Sequence, residues 1–76
     1  MNLKESFFKY EELDNEIINF VVFEKSNKEI AARTGYSLGT IKFRLKVLFK
    51  QYGVKTKAGL VREAFQNGII FTVFKK

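Results

Sequence analysis

The 76-residue chain has no cysteine, no histidine and no proline. Without cysteine it can form no disulfide. Without cysteine or histidine it has no thiolate or imidazole metal site, and no nucleophile served by a histidine base. No apolar run approaches the roughly 20 residues that cross a bilayer, and the acidic-rich start does not resemble a signal peptide. Missing cysteine leaves the compartment open; with no export signal the expectation is the cytoplasm, without membrane attachment. No cofactor is expected. The absence of proline, with only five glycines, favours helices joined by short turns. There is no low-complexity linker and no internal repeat. A chain of this length is one domain, near the lower size at which a single core suffices without staples.

What is present is an ordinary globular mixture, 46% hydrophobic and 29% charged, with nine phenylalanines, a high number for so small a chain. The net charge of +6 is unevenly spread. Residues 1–24 carry six acidic against two basic side chains, and residues 25–76 carry twelve basic against two acidic. A basic body behind an acidic leading segment suggests that one face binds a polyanion. The plainer reading is a solvated charged surface.

Taken in order, residues 1–10 form a lead-in whose Leu3, Phe7, Phe8 and Tyr10 either pack on the core or mark an interface. Residues 11–24 are expected to be the first helix. Leu13, Ile17, Phe20 and Val21 form its core stripe, and Ile18 and Val22 widen the apolar face. Its early Glu11, Glu12, Asp14 and Glu16 suit the positive end of the helix dipole and argue that this end faces away from phosphate. The second helix starts at Ser26 or Asn27, with Glu29 at capping-box spacing from Ser26. Ile30, Ala31 and Thr34 should face inward, the two alanines allowing a close neighbour, and Gly35 should end the helix.

Ser37 can cap a third helix over about 38–52. At 100° per residue, Ile41, Leu45, Leu48, Phe49 and Tyr52 gather on one side, with Lys42, Lys46 and Lys50 in a row beside them. Three lysines in a row are common on any solvated helix face. They become informative because two short helices, a tight turn and a cap precede them, the layout of a helix-turn-helix that enters the major groove. Phe43 and Val47 lie opposite the core. They could contact thymine methyls, meet a protein partner or pack under an extra segment. Gly53 stops the third helix, Thr56 caps a fourth, and that helix runs to about Asn67 with Ala58, Leu60, Val61, Ala64 and Phe65 apolar. Gly68 closes it. The apolar, β-prone tail IIFTVFKK should anchor the core, dock on the body or join a dimer contact.

The combination SNKEIA, Thr40-Ile41-Lys42, Gly53-Val54 and a final Ala-x-x-x-Gly-Ile-Ile resembles the LuxR-type, or GerE/FixJ-type, DNA-binding domain, from about Tyr10 to Ile70. The resemblance implies an all-α fold of four helices over 11–70, a tail over 71–76, and a bacterial transcription regulator that binds double-stranded DNA as a homodimer in the nucleoid. It places base reading on Lys42, Phe43 and Lys46, and phosphate contacts on Asn27, Lys28, Ser37, Thr40, Arg44, Lys50 and Lys57. It places the dimer contact on the fourth helix around Val61 and Phe65. No receiver or ligand-sensing domain fits in this length, and a native-looking start favours a stand-alone regulator over a fragment.

The chain departs from that pattern at several points. Glu11, Leu13 and Asp14 replace the leading Thr-x-Arg-Glu, so the cap and ion pair there should be rearranged. Glu24 stands where a glycine is usual. Arg44 replaces a common histidine and is expected to add charge near the DNA face. Phe43 and Val47 are apolar where polar residues are usual. The alternative is therefore an interaction module of the same fold that binds another regulator or RNA polymerase, motivated by Phe43, Val47 and Phe71 to Phe74. Region 4 of a sigma factor shares the geometry but fits the Gly-Val and Gly-Ile-Ile signals poorly. An enzyme is not expected, since no paired carboxylates sit on a cleft-forming element.

Overall fold

The computed structural model describes residues 10–68, in which four helices follow one another and no strand occurs. They are α1 (Glu11–Val22), α2 (Asn27–Thr34), α3 (Leu38–Tyr52) and α4 (Lys57–Gln66). The all-α expectation holds. The lead-in before Tyr10, the end of the expected domain at Ile69 and Ile70, and the tail over 71–76 with Phe71 to Phe74 lie outside the described residues. None of the helices among the described residues is long and apolar enough to cross a membrane.

Polar caps set most of the boundaries. The Ser26 hydroxyl accepts the Glu29 N–H at 3.1 Å, and the Glu29 carboxylate accepts the Ser26 N–H at 2.9 Å. This reciprocal capping box satisfies two donors that the first turn of α2 leaves open. Ser37 accepts the Thr40 N–H at 3.1 Å to start α3, and Thr56 accepts the Gly59 N–H at 2.9 Å to start α4. Gly35 ends α2 with φ 82°.

The end of α1 differs from expectation, at Val22 rather than residue 24. The Glu24 N–H donates to the Val21 carbonyl at 2.9 Å and the Lys25 N–H to the Phe20 carbonyl at 3.0 Å. Those two bonds close a helix in the Schellman arrangement, which requires a left-handed residue. Glu24 takes it, with φ 59°. Gly53 does the same at the end of α3, with φ 68° and the matching bonds Gly53 to Lys50 at 3.3 Å and Val54 to Phe49 at 2.9 Å. One helix end is built with the residue suited to it and the other without.

The core lies where the four helices meet. Ile17, Ile30, Ile41 and Leu60, one from each helix, have no exposed surface. Leu13, Ile18, Val21, Leu45, Leu48 and Ala64 complete it. Burying each large aliphatic side chain contributes about 1.5–3 kcal/mol. Two details differ from the stripe read along α1: Ile18 is fully buried, and Phe20 is only partly so. The reason is that α1 packs on all three other helices, so a single stripe does not cover its contacts. At the junction of α2 with its neighbours Ala31 packs on the core, whereas Ala32 is exposed and plays no part there.

Candidate nucleic-acid interface

The connection from α2 to α3 is short and held by side chains. The Thr34 hydroxyl donates to the Ile30 carbonyl at 2.8 Å and accepts the Tyr36 N–H at 3.4 Å. The Ser37 hydroxyl donates to the Thr40 hydroxyl at 3.0 Å. Among the described residues the Thr40 hydroxyl donates to no group, at the first turn of α3, where backbone N–H groups lack helical partners. Pinned in this way, α2 and α3 form a helix-turn-helix.

The two sides of α3 are chemically distinct. Ile41, Leu45 and Leu48 are buried, and Phe49 and Tyr52 pack on the core edge. Lys42, Lys46 and Lys50 are exposed and make no ion pair among the described residues. Phe43 is 57% exposed among them, while Val47 is partly buried rather than bare.

Arg44 corrects the sequence reading. It lies about 200° around the helix from Lys42, away from the lysine row. Its guanidinium grips Asp14 of α1 through two hydrogen bonds, at 3.0 and 2.7 Å, with both side chains only 15% exposed. The guanidinium also lies 4.5 Å from the centroid of the Tyr10 ring. The hydrogen bonds to Asp14 push the Arg44 pKa still higher. Arg44 therefore ties α3 to α1 and is not part of the exposed basic face. Asp14, near the start of α1, thus pairs with a residue that the sequence reading had placed at the DNA face. Beside it, burial and the Asp14 charge raise the Tyr52 hydroxyl.

The remaining positions fall in two places. The Lys57 ammonium donates to the Asn27 side-chain oxygen at 2.8 Å, which brings together the starts of α4 and α2. Lys28 beside them is exposed. The hydrogen bond from the Ser26 backbone holds the Glu29 carboxyl below its ordinary value. On α4, Val61 is partly buried against the core and Phe65 is 51% exposed. An open cavity of about 560 Å³, walled by Val21, Val22, Ala58 and Val61, lies behind Lys57 and apart from the lysine row.

Sequence reasoning missed the Asp14–Arg44 and Asn27–Lys57 contacts and the strained Glu24. The helical angle of Arg44 was a usable signal for the first, and the glycine expected at residue 24 a usable one for the last. Nothing in the local sequence marks the second, since its partners stand 30 residues apart.

Over 60 residues, 79% of this chain, the sequence is 38% identical to the transcriptional regulatory protein MctR of Rhizobium johnstonii. The chain spans 28% of the length of that protein. No family model matches the chain. No solved structure matches it either.

Proposed function

We propose that the chain is a LuxR-type DNA-binding domain and acts as a transcription regulator rather than an enzyme, with α3 in the major groove. The observation that carries this reading is the division of α3, whose buried side fixes it while Lys42, Lys46 and Lys50 stand exposed and, among the described residues, without an ion pair. Lysines on a helix of that kind contact guanine O6 and N7 or neutralise phosphate. Lys42, Phe43 and Lys46 take the base-reading places. Asn27, Lys28, Ser37, Thr40, Lys50 and Lys57 hold the backbone, aided by N–H groups at the starts of α2 and α3. Resemblance to a regulator supports the reading. The chain pairs with a second copy through Val61 and Phe65 of α4 and works at the nucleoid.

Duplex binding measured by fluorescence anisotropy should weaken steeply as salt rises. Lys42→Ala with Lys46→Ala should remove site preference while leaving the fold intact. Failure to bind any duplex at low salt would overturn the reading. A second reading is favoured by Phe23 and Phe65, which are 58% and 51% exposed. They would serve a protein partner such as another regulator or RNA polymerase, and retention by that partner without duplex binding would select it. Sedimentation that finds a strict monomer on and off DNA would remove the role given to Val61 and Phe65.

A further inference from the structure

Of the seven lysines among the described residues, five are exposed. Lys25 and Lys57 are the two that are half-buried, and both line the cavity of about 560 Å³ beside the end of α1 and the start of α4. That volume lies within the range of small-molecule sites. The apolar walls are Val21, Val22 and Val61, with Ala58 exposed beside them. A half-buried lysine lays its stem along apolar surface and keeps its ammonium toward water. The apolar walls therefore end at a rim that carries positive charge.

Neither ammonium is neutralised within the fold. Lys25 and Lys57 make no ion pair among the described residues, although Glu24 lines the same cavity. Lys57 donates one hydrogen to the Asn27 side-chain oxygen at 2.8 Å, which leaves the others of its ammonium for a second acceptor. That bond also brings the starts of α2 and α4 together, so the positive ends of both helix dipoles add to the field. Two ammoniums and one carboxylate leave the rim with a single net positive charge. Such a rim suits a monoanion, and the walls behind it suit an apolar body.

We propose that the cavity binds a small monocarboxylate with an apolar body, its carboxylate held by Lys25 and Lys57. Lys57 is also among the residues given to the DNA backbone, so ligand and phosphate compete for one ammonium. The cavity does not depend on the duplex-binding reading; the competition rests on it.

Octanoate is the probe, with 1-octanol and octylamine as uncharged and cationic controls. In two-dimensional NMR of the isotopically labelled 76-residue chain, octanoate should shift Val21, Val22, Ala58 and Val61 selectively. Its affinity should be millimolar, as expected of so small a ligand. 1-Octanol should bind about tenfold more weakly, the worth of two partly exposed ion pairs, and octylamine more weakly still. In the double variant Lys25→Gln with Lys57→Gln, octanoate should lose its advantage over 1-octanol. Ala58→Phe changes an exposed position and fills the cavity, so it should abolish the shifts while thermal melting shows the chain folded. No shifts with octanoate, equal shifts with octylamine, or shifts that persist in Ala58→Phe would overturn the site. Where a selected duplex is bound, saturating octanoate should lower its affinity about threefold, the loss of one exposed contact. Unchanged affinity would overturn the competition. Octanoate binding without any duplex binding would uphold the cavity and overturn the proposed function instead.

Discussion

The two charged sides of α3 carry the same kind of group and treat it in opposite ways. Arg44 is gripped by Asp14 and covered by Tyr10, while Lys42, Lys46 and Lys50 are exposed and make no ion pair among the described residues. A planar guanidinium that makes two parallel bonds to a carboxylate suits a partly buried tie between helices. A compact ammonium on a flexible stem suits a surface that must wait for its partner. The comparison shows that positive charge alone does not mark an interface. What matters is whether the fold has already satisfied it.

The comparison can be broken at several strengths. Leu45→Ala, on the buried side, should lower unfolding free energy by about 3 kcal/mol in a denaturant titration, enough to leave a domain this small near unfolding. Lys42→Ala with Lys46→Ala should do the reverse. Stability should stay within about 0.5 kcal/mol, while affinity for a selected duplex falls by about 30-fold or more. Arg44→Ala should cost about 2 kcal/mol of stability, because the Asp14 carboxylate is left largely buried without its partner. Its effect on the salt slope of DNA binding should be negligible, and a slope reduced as much as by a lysine change would return Arg44 to the DNA face.

Two smaller changes sharpen the contrast between satisfied and strained positions. Glu24→Gly should raise the melting temperature, by relief of a left-handed conformation less the entropy lost with glycine, a net gain of about 0.5–1 kcal/mol. Glu29 supplies the smallest effect. Its folded pKa is depressed by the bond from the Ser26 backbone, so its contribution is present above the ordinary carboxylate range and lost as pH falls through the lowered value. Glu29→Gln keeps an acceptor but cannot titrate in this range, so that part of the acid sensitivity should disappear from melts recorded as a function of pH.

Much of the fold was legible because short polar residues and glycines announce helix ends. Ser26, Ser37 and Thr56 cap where their spacing suggests, and Gly35 and Gly53 stop their helices. The end of α1 was missed because glutamate does not itself signal a left-handed residue, and only the glycine usual at position 24 pointed to one. The central apolar positions could be read from spacing, but the exchange of Ile18 for Phe20 depends on α1 meeting three neighbours at once. In the candidate site the lysine row could be read from helical periodicity. Arg44 could have been separated from it by the same arithmetic, yet the identity of its partner could not. Side-chain pairs between distant helices are set by the packing of the whole chain, which no local pattern encodes.

Asp14–Arg44 and Asn27–Lys57 share one further property: each joins residues 30 apart in the chain. Caps and helical turns close within a few residues and can form early in a folding trajectory. Contacts across such a span close a long loop before they repay its entropy, and these two join side chains at the edge of the core. If the two pairs form after the rate-limiting step, removing either should speed unfolding and leave the folding rate unchanged. These two pairs are therefore expected to work as latches, setting how long the assembled helices stay together more than how quickly they find one another.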